Sequence, residues 1–595
     1  MRRAYLAMTW RPGTPACVLA EAQAQVLDAH PGWRPAGAAE GLRVWTAADG
    51  AFPVSAHPDG FVIGDSFGHP DARFEPGPAG APAATARALL AATWGQYVAL
   101  LRGADGGASV LRDPSGAVGA FTWTLAPGLH VIASDPTRAP PGLGPRHPFL
   151  NWDRIGRFLA HPAAMTTDPL VDDVRAVGPG DLLDLETGVA LPLWRPHAFV
   201  QPAAGDPAAA AEALVARVDH CLAALVGPHD GVLMELSGGL DSSILAGGLA
   251  AGGLSRRVRQ WINLKDPRRE ADETRYAGSV TERIGASLTT APWTPGAIQE
   301  ADLAELASGF WPALAGVDAE RDRDMAARVA ATGATAILSG QGGDAAFLQV
   351  PSALVAADAL RTQGLAGFVR SPVLADVARR TRRSVWSVLG EARAAAKGRI
   401  RRTDFISSLA SAELRAATRG LAHPWDLAAR ETGLSPGKQL HVQAVSLHQV
   451  NHGASRRRRV ADLLHPLAAQ PVLELCLALP TPWLAGGSFD RPFARNAFAD
   501  RIPQLVRDRR AKGVATVHFQ KLVANSLPFL RRYLLDGVLA DAGLLDRRAL
   551  AHALDPNGLI WDAKARDVMA AAAVEAWVRH WQTRTADSKA SAWRR

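Results

Sequence analysis

Residues 231–243 read GVLMELSGGLDSS, an apolar run that passes directly into a glycine–serine turn. The run from Gly231 to Leu236 has the length and composition of a buried strand. Ile244 to Ala251 then continues as a short helix. Gly238 and Gly239 lack side chains, so backbone can come close to a bound group there. Ser237, Ser242 and Ser243 offer hydroxyls. A helix that opens at such a turn presents unpaired N–H groups and a partial positive charge, which suits an anion. Asp241 is placed to hold a hard divalent cation that travels with phosphates. The alternative is an ordinary Gly/Ser turn between strand and helix, and the filling of every position of S-G-G-L-D-S-S argues against it.

A second segment stands about a hundred residues downstream. AILSGQGGDAAF, Ala336 to Phe347, is again a short apolar strand, a glycine-rich turn and an acid. Alone it is an unremarkable loop in a chain with 55 glycines. Together the two segments resemble the ATP pyrophosphatase loops of the asparagine synthetase superfamily. That resemblance implies an α/β domain with a doubly wound parallel sheet, which the alternation of WINL (Trp261–Leu264) with the amphipathic stretch Ala271–Leu288 supports. It implies ATP contacts at Leu236, Ser237, Gly238, Gly239, Asp241, Ser242, Ser243, Ser339 and Gly340. It makes Asp241 and Asp344 a pair of Mg²⁺ ligands around the triphosphate. The expected products are an AMP ester and pyrophosphate, and the Walker motif GxxxxGK[ST] is absent.

The resemblance also implies a catalytic lysine. The chain has only seven lysines among its 65 basic residues, and Lys512 sits in the arginine cluster RDRRAKGVAT, Arg507 to Thr516. Its implied role is to stabilise charge developing on the adenylate and on the tetrahedral intermediate. A solvated basic face is the simpler reading of the cluster taken by itself.

The first 197 residues resemble, more faintly, the glutaminase domain of class II amidotransferases. The stretches are LRDPSGAVGAFTW (Leu111–Trp123), VIASDP (Val131–Pro136) and VRAVGPGDLLDLETG (Val174–Gly188). This implies an Ntn-type α/β/β/α sandwich over 1–197, a Pro/Ala-rich linker over 198–210 and the synthetase-like domain over 211–595. Those glutaminases use a cysteine directly after the initiator Met, whose free amine serves as base. Here the sequence reads MRRAYLAMTW, and the cysteines are Cys17, Cys221 and Cys476. The domain is therefore expected to be degenerate, with no ammonia delivered, so that the attacking amine belongs to the substrate.

Two branches of the superfamily work in that way: β-lactam synthetases and lasso peptide macrocyclases. The stretch from His465 to Gly513, through QPVLELCLALPTPWLAGGSFDRPFARNAF, resembles the macrocyclases over its whole length. β-Lactam synthetases place a tyrosine three residues before the second metal acid. Gln341 stands there in this chain and cannot take a proton. The expectation is thus ATP-dependent closure of a precursor core peptide, through adenylation of an Asp or Glu side chain and attack by the peptide's N-terminal amine. A leader-binding protein and a leader protease would be partners in the pathway. The alternatives are a β-lactam or other small-molecule amide synthetase and a non-catalytic precursor-binding scaffold. Intact Asp241, Asp344 and Lys512 argue against the scaffold. Gln341, His448, His452 and Arg456 are candidates for the acceptor pocket, the last because the arginine run Arg456–Arg459 could hold carboxylates or phosphates.

Composition sets the outer bounds. At 595 residues and 62.8 kDa, two domains with separate cores are expected. Three cysteines fit a reducing compartment, and neither a membrane-length apolar run nor a signal-peptide core is evident, so the expected location is cytoplasmic. The net charge of +8 is spread over clusters at Arg379–Arg383, Arg399–Arg402, Arg456–Arg459 and Arg507–Arg510. Aromatic residues do not interleave with them as in single-strand nucleic-acid platforms, so no nucleic acid partner is expected.

Overall fold

The structure is a computed structural model and describes the chain except residues 1, 73–79, 166, 201–204, 269–271, 402–405, 449–452, 511–515, 563 and 593–595. Lys512 and His452 therefore lie outside the described residues.

The amino-terminal part builds two antiparallel sheets of six strands each. Tyr5–Trp10 runs through the middle of the first and is buried along its whole length. Its period of two explains this: Leu6, Met8 and Trp10 face the helix Ala16–Ala29, whereas Tyr5 and Ala7 face the second sheet. On the far side of that sheet, Val62, Ala99 and Leu101 pack against Ala86 and Leu90 of the helix Pro82–Ala92. The layers run helix, sheet, sheet, helix. This last apolar layer is continuous with the core of the carboxyl-terminal part through Leu214, Val218 and Leu222 of the helix Pro207–Val226.

The carboxyl-terminal part is built on a five-stranded parallel sheet. In chain order its strands are β1 (Val232–Glu235), β2 (Val258–Lys265), β3 (Leu288–Pro292), β4 (Ala336–Leu338) and β5 (Asp462–Leu464). Their order across the sheet is β3-β2-β1-β4-β5, and every pairing is parallel. The chain therefore winds one way from β1 and the other way from β4. In open α/β sheets, that reversal leaves a crevice beyond the carboxyl ends of the strands where the order switches. β1 and β4 are those strands, in register from Val232 opposite Ala336 to Met234 opposite Leu338. Both glycine-rich segments leave the sheet here.

Most of the chain after β4 is helical. One short strand follows nonetheless: β5, at 462–464, pairs with β4 at the edge of the sheet. Three residues are too few to show a period, and Asp462 interrupts the apolar run. No described helix is long and apolar enough to cross a membrane.

Candidate active site

The first loop folds as its residues require. Leu236 extends the sheet by donating its N–H to Ile262, and Asn263 donates to the Leu236 carbonyl at 2.9 Å. Gly238 takes φ +68°, and a Cβ there would lie 2.5 Å from the Ala277 nitrogen. The turn is thus closed to any larger residue. Ser243 Oγ donates to the Gly239 carbonyl at 2.7 Å, and Gly239 N–H donates to Ser237 Oγ at 3.2 Å. A helix over Leu240–Ala251 follows and carries Asp241 in its first turn.

The second loop is pressed against the first. A Cβ on Gly340 would fall 2.7 Å from the Ser242 nitrogen, and one on Gly343 would fall 2.5 Å from Asp241 Oδ1. Both glycines are needed for the loops to touch. Gly342, at φ +97°, starts the short helix Gly343–Ala346 that carries Asp344. Ser339 Oγ lies 3.1 Å from His465 Nδ1.

Asp241 and Asp344 converge on one point. Arg491 Nη1 donates to both carboxylate oxygens of Asp241, at 2.7 and 2.6 Å, and to Asp344 Oδ1 at 2.6 Å. Two carboxylates from different loops therefore already share a cation. Gln349, with its amide nitrogen turned inward, donates to Asp344 at 2.9 and 3.1 Å. This oxygen-only donor set suits Mg²⁺, which keeps several waters and takes its remaining ligands from phosphates. Among the described residues no group of three metal-binding side chains exists.

Beside this point opens a cavity of about 500 Å³, lined by Gly239 and Leu240, by Gln349, and by Phe489, Arg491 and Arg509 among others. Arg379, Arg380, Arg495 and Arg510 also reach it, so its wall is strongly basic and fits a polyanion. Arg509 donates to the Gly238 carbonyl at 3.3 Å, pairs with Glu273 and lies over the Tyr276 ring at 4.2 Å. The chain three residues before Lys512 is thereby anchored to the first loop. Burial raises the Asp490 carboxyl, but Arg491 and Arg495 outweigh it and hold the group at about 2.

The remaining sequence candidates are placed otherwise. Arg456 does not line the cavity. It is buried, with Nη2 2.9 Å from Asp302 and 2.7 Å from Glu305. Arg457 pairs with Asp322 and Glu235, and Arg458 donates to the Ala117 carbonyl of the amino-terminal part. The run Arg456–Arg459 was expected at the acceptor pocket; instead Arg456 and Arg457 are held by acids of the surrounding elements, and Arg459, at the exposed end, pairs with Glu305. His448 is also buried, and its ring packs edge-on against His465 at 6.0 Å. Burial pushes His448 down to about 4, so it is neutral near pH 7. Gln341 stays in the second loop, with its N–H toward Ser339 Oγ at 3.4 Å. Sequence reasoning missed Arg491, Gln349 and His465. Arg491 had a faint signal: an Asp-Arg-Pro step after a Gly-Gly pair.

The switch-point crevice, the two touching glycine loops and the acid pair that shares Arg491 form one continuous site. The family model described as Asparagine synthase matches residues 211–581, and the chain belongs to that family. Comparison with curated proteins gives no match. The family uses ATP, generally with Mg²⁺, to form amide or other carbon–nitrogen bonds.

Proposed function

We propose that the protein closes a precursor core peptide into a macrolactam, as the lasso peptide macrocyclases do. The observation that carries the ATP half of this reading is the convergence of Asp241 and Asp344 beside an anion-suited loop. The peptide half is supported by the macrocyclase-like stretch His465–Gly513, part of which, Ser488 to Arg510, borders the cavity.

The proposed reaction has two steps. ATP lies with its phosphates on the first loop and its triphosphate toward the acid pair. A substrate side-chain carboxylate attacks the α-phosphorus, and pyrophosphate leaves. The peptide's N-terminal amine then attacks the acyl carbon, loses a proton and expels AMP, forming the isopeptide bond. Asp241 and Asp344 would hold Mg²⁺, which would supply charge neutralisation to the phosphates. Ser237 and the N–H groups at the start of the Leu240–Ala251 helix orient them. Lys512 is the proposed stabiliser of charge at the α-phosphate and the tetrahedral intermediate. The sandwich over residues 1–197 is read as an amidotransferase-like domain without glutaminase activity.

The test is product analysis. With ATP and a core peptide bearing a free N-terminus and an internal Asp or Glu, the product should weigh one water less than the linear peptide and resist sequencing from its N-terminus. Turnover of a free amino acid analogue, with every core ignored, would replace this reading by the β-lactam type.

A further inference from the structure

We propose that the helix corner Arg379–Trp386, at the rim of the cavity, is a docking surface for an acidic segment of the substrate peptide, the part that stays outside the cavity. This rests on the macrocyclase reading above and adds to it the chemical class of the segment that flanks the reacting carboxylate.

The corner is built to stand out. The helices Pro372–Thr381 and Val385–Ala396 meet there, and the chain reverses at Arg382, which takes φ +54° and donates its N–H to the Arg379 carbonyl at 3.2 Å. The core of this helical lobe is made by Phe368, Val377, Val388, Leu389 and Ala392. Trp386 takes no part in it and is 79 % exposed, with Val385 exposed beside it. The corner adjoins the cavity. Arg379 lines the cavity together with Val350, another exposed apolar side chain, and Arg380 ties the helix to the cavity wall by donating to the Gln349 carbonyl at 2.9 Å. Large apolar groups left in water beside a site mark a contact surface.

Charge selects the occupant. Residues 353–401 hold ten basic side chains and three acids, a net +7 beside +8 for the whole chain. The three acids are already engaged: Asp376 with Arg379, Glu391 with Arg383, and the buried Asp358 with Ser435 and Thr481. Among the described residues no acid pairs with Arg382. Exposed ion pairs such as the first two contribute little, so a partner's carboxylate replaces them at small cost. It then meets three arginines beside an indole. A peptide with Asp or Glu next to an aromatic or aliphatic residue satisfies both features. A single-stranded nucleic acid calls for successive aromatic platforms, and one indole stands here. Continuity with the cavity favours the substrate over a lipid surface, because a peptide leaving the cavity on this side passes over the corner.

The test follows a fluorescein-labelled peptide by anisotropy on the full chain without nucleotide. The probe is a short glutamate-rich peptide with a phenylalanine, and its control has glutamine for every glutamate. The glutamate probe should bind at least about tenfold more tightly than the control at low salt. R382N, which suits φ +54°, should weaken it by about threefold to fivefold, as loss of an exposed ion pair does. W386A, at an exposed position outside the lobe's core, should fold and weaken both probes by about tenfold. Equal binding of the two probes, or binding that neither substitution changes, overturns the proposal. Tighter, Trp386-dependent binding of phosphatidylglycerol vesicles or of oligothymidylate overturns it too. Ring closure of a glutamate-flanked core peptide is measured in parallel, and both substitutions should raise KM more than they lower kcat. If all three chains close the ring with the same KM, the proposal falls while the macrocyclase reading stands. If none closes any core, that reading falls and takes this proposal with it.

Discussion

Asp241 is where the residue-scale chemistry concentrates. Changing it or Asp344 to Asn keeps the shape and removes a charge aimed at one point. Loss of one such preorganised contact costs about a hundredfold to a thousandfold in rate. D241N or D344N should therefore bring ATP consumption to that level or below while circular dichroism stays native. Near-normal turnover in either variant means the metal is held elsewhere. Lys512→Ala should block ring closure with ATP still bound, as read by product mass and by nucleotide affinity.

The buried histidines give a pH prediction at the same scale. Burial is the largest cause that pushes His423, His441 and His465 down to about 3 and His448 to about 4, from an ordinary 6.5. Between those values and 6.5 the unfolded chain binds more protons than the folded one. Stability therefore rises with pH through this window and is lost as pH falls below about 6.5. The urea midpoint should decline steadily from pH 7 to pH 4.5 at constant ionic strength. A flat midpoint would contradict the burial of these rings.

Among elements, the two loops depend on their glycines more than on their hydroxyls. Gly340 and Gly343 have backbone or carboxylate of the first loop where a Cβ would stand. Gly340→Ala or Gly343→Ala should part the loops, cost about 1–3 kcal/mol of stability as overpacking does, and weaken ATP binding beyond what the stability loss explains. Equilibrium binding of an ATP analogue at a temperature well below the melting point checks this. Unchanged affinity would mean the loops need not touch.

The elements also show what was readable from sequence. β1 and β4 were legible because apolar runs end at glycine-rich turns, and the middle of β2 because the apolar WINL precedes an amphipathic stretch, all local patterns. β3 and β5 were not: Leu288–Pro292 is half polar, and Asp462–Leu464 is strand-like only through its place beside β4. The acid pair was legible because each acid sits inside its own motif. Arg491 lies 250 residues from Asp241, and no local pattern reports a contact that long. The reverse held for Arg456–Arg459, where a dense basic run looked like a binding surface but its partners, Asp302, Glu305 and Asp322, are far away in sequence.

On the scale of the whole molecule, the two parts share their packing. Arg2 N–H donates to the Arg458 carbonyl at 2.8 Å, and Arg3 bridges Asp65 of its own part to Asp462 on β5 at 2.6 and 2.9 Å. Glu474 accepts from the Trp194 indole at 2.7 Å and lies 3.1 Å from His69. With an apolar layer common to both, thermal unfolding should be one cooperative transition, and residues 211–595 expressed alone should aggregate. Two well-separated calorimetric transitions would contradict a shared core.

The account turns on a substrate carboxylate attacking the α-phosphorus of ATP. Its most direct test labels that carboxylate. A core peptide with ¹⁸O in the side chain of its internal Asp or Glu is turned over with ATP, and the nucleotide and phosphate products are read by mass spectrometry. The account predicts one ¹⁸O in AMP and none in pyrophosphate. Label in inorganic phosphate together with ADP, or AMP without label, would contradict it.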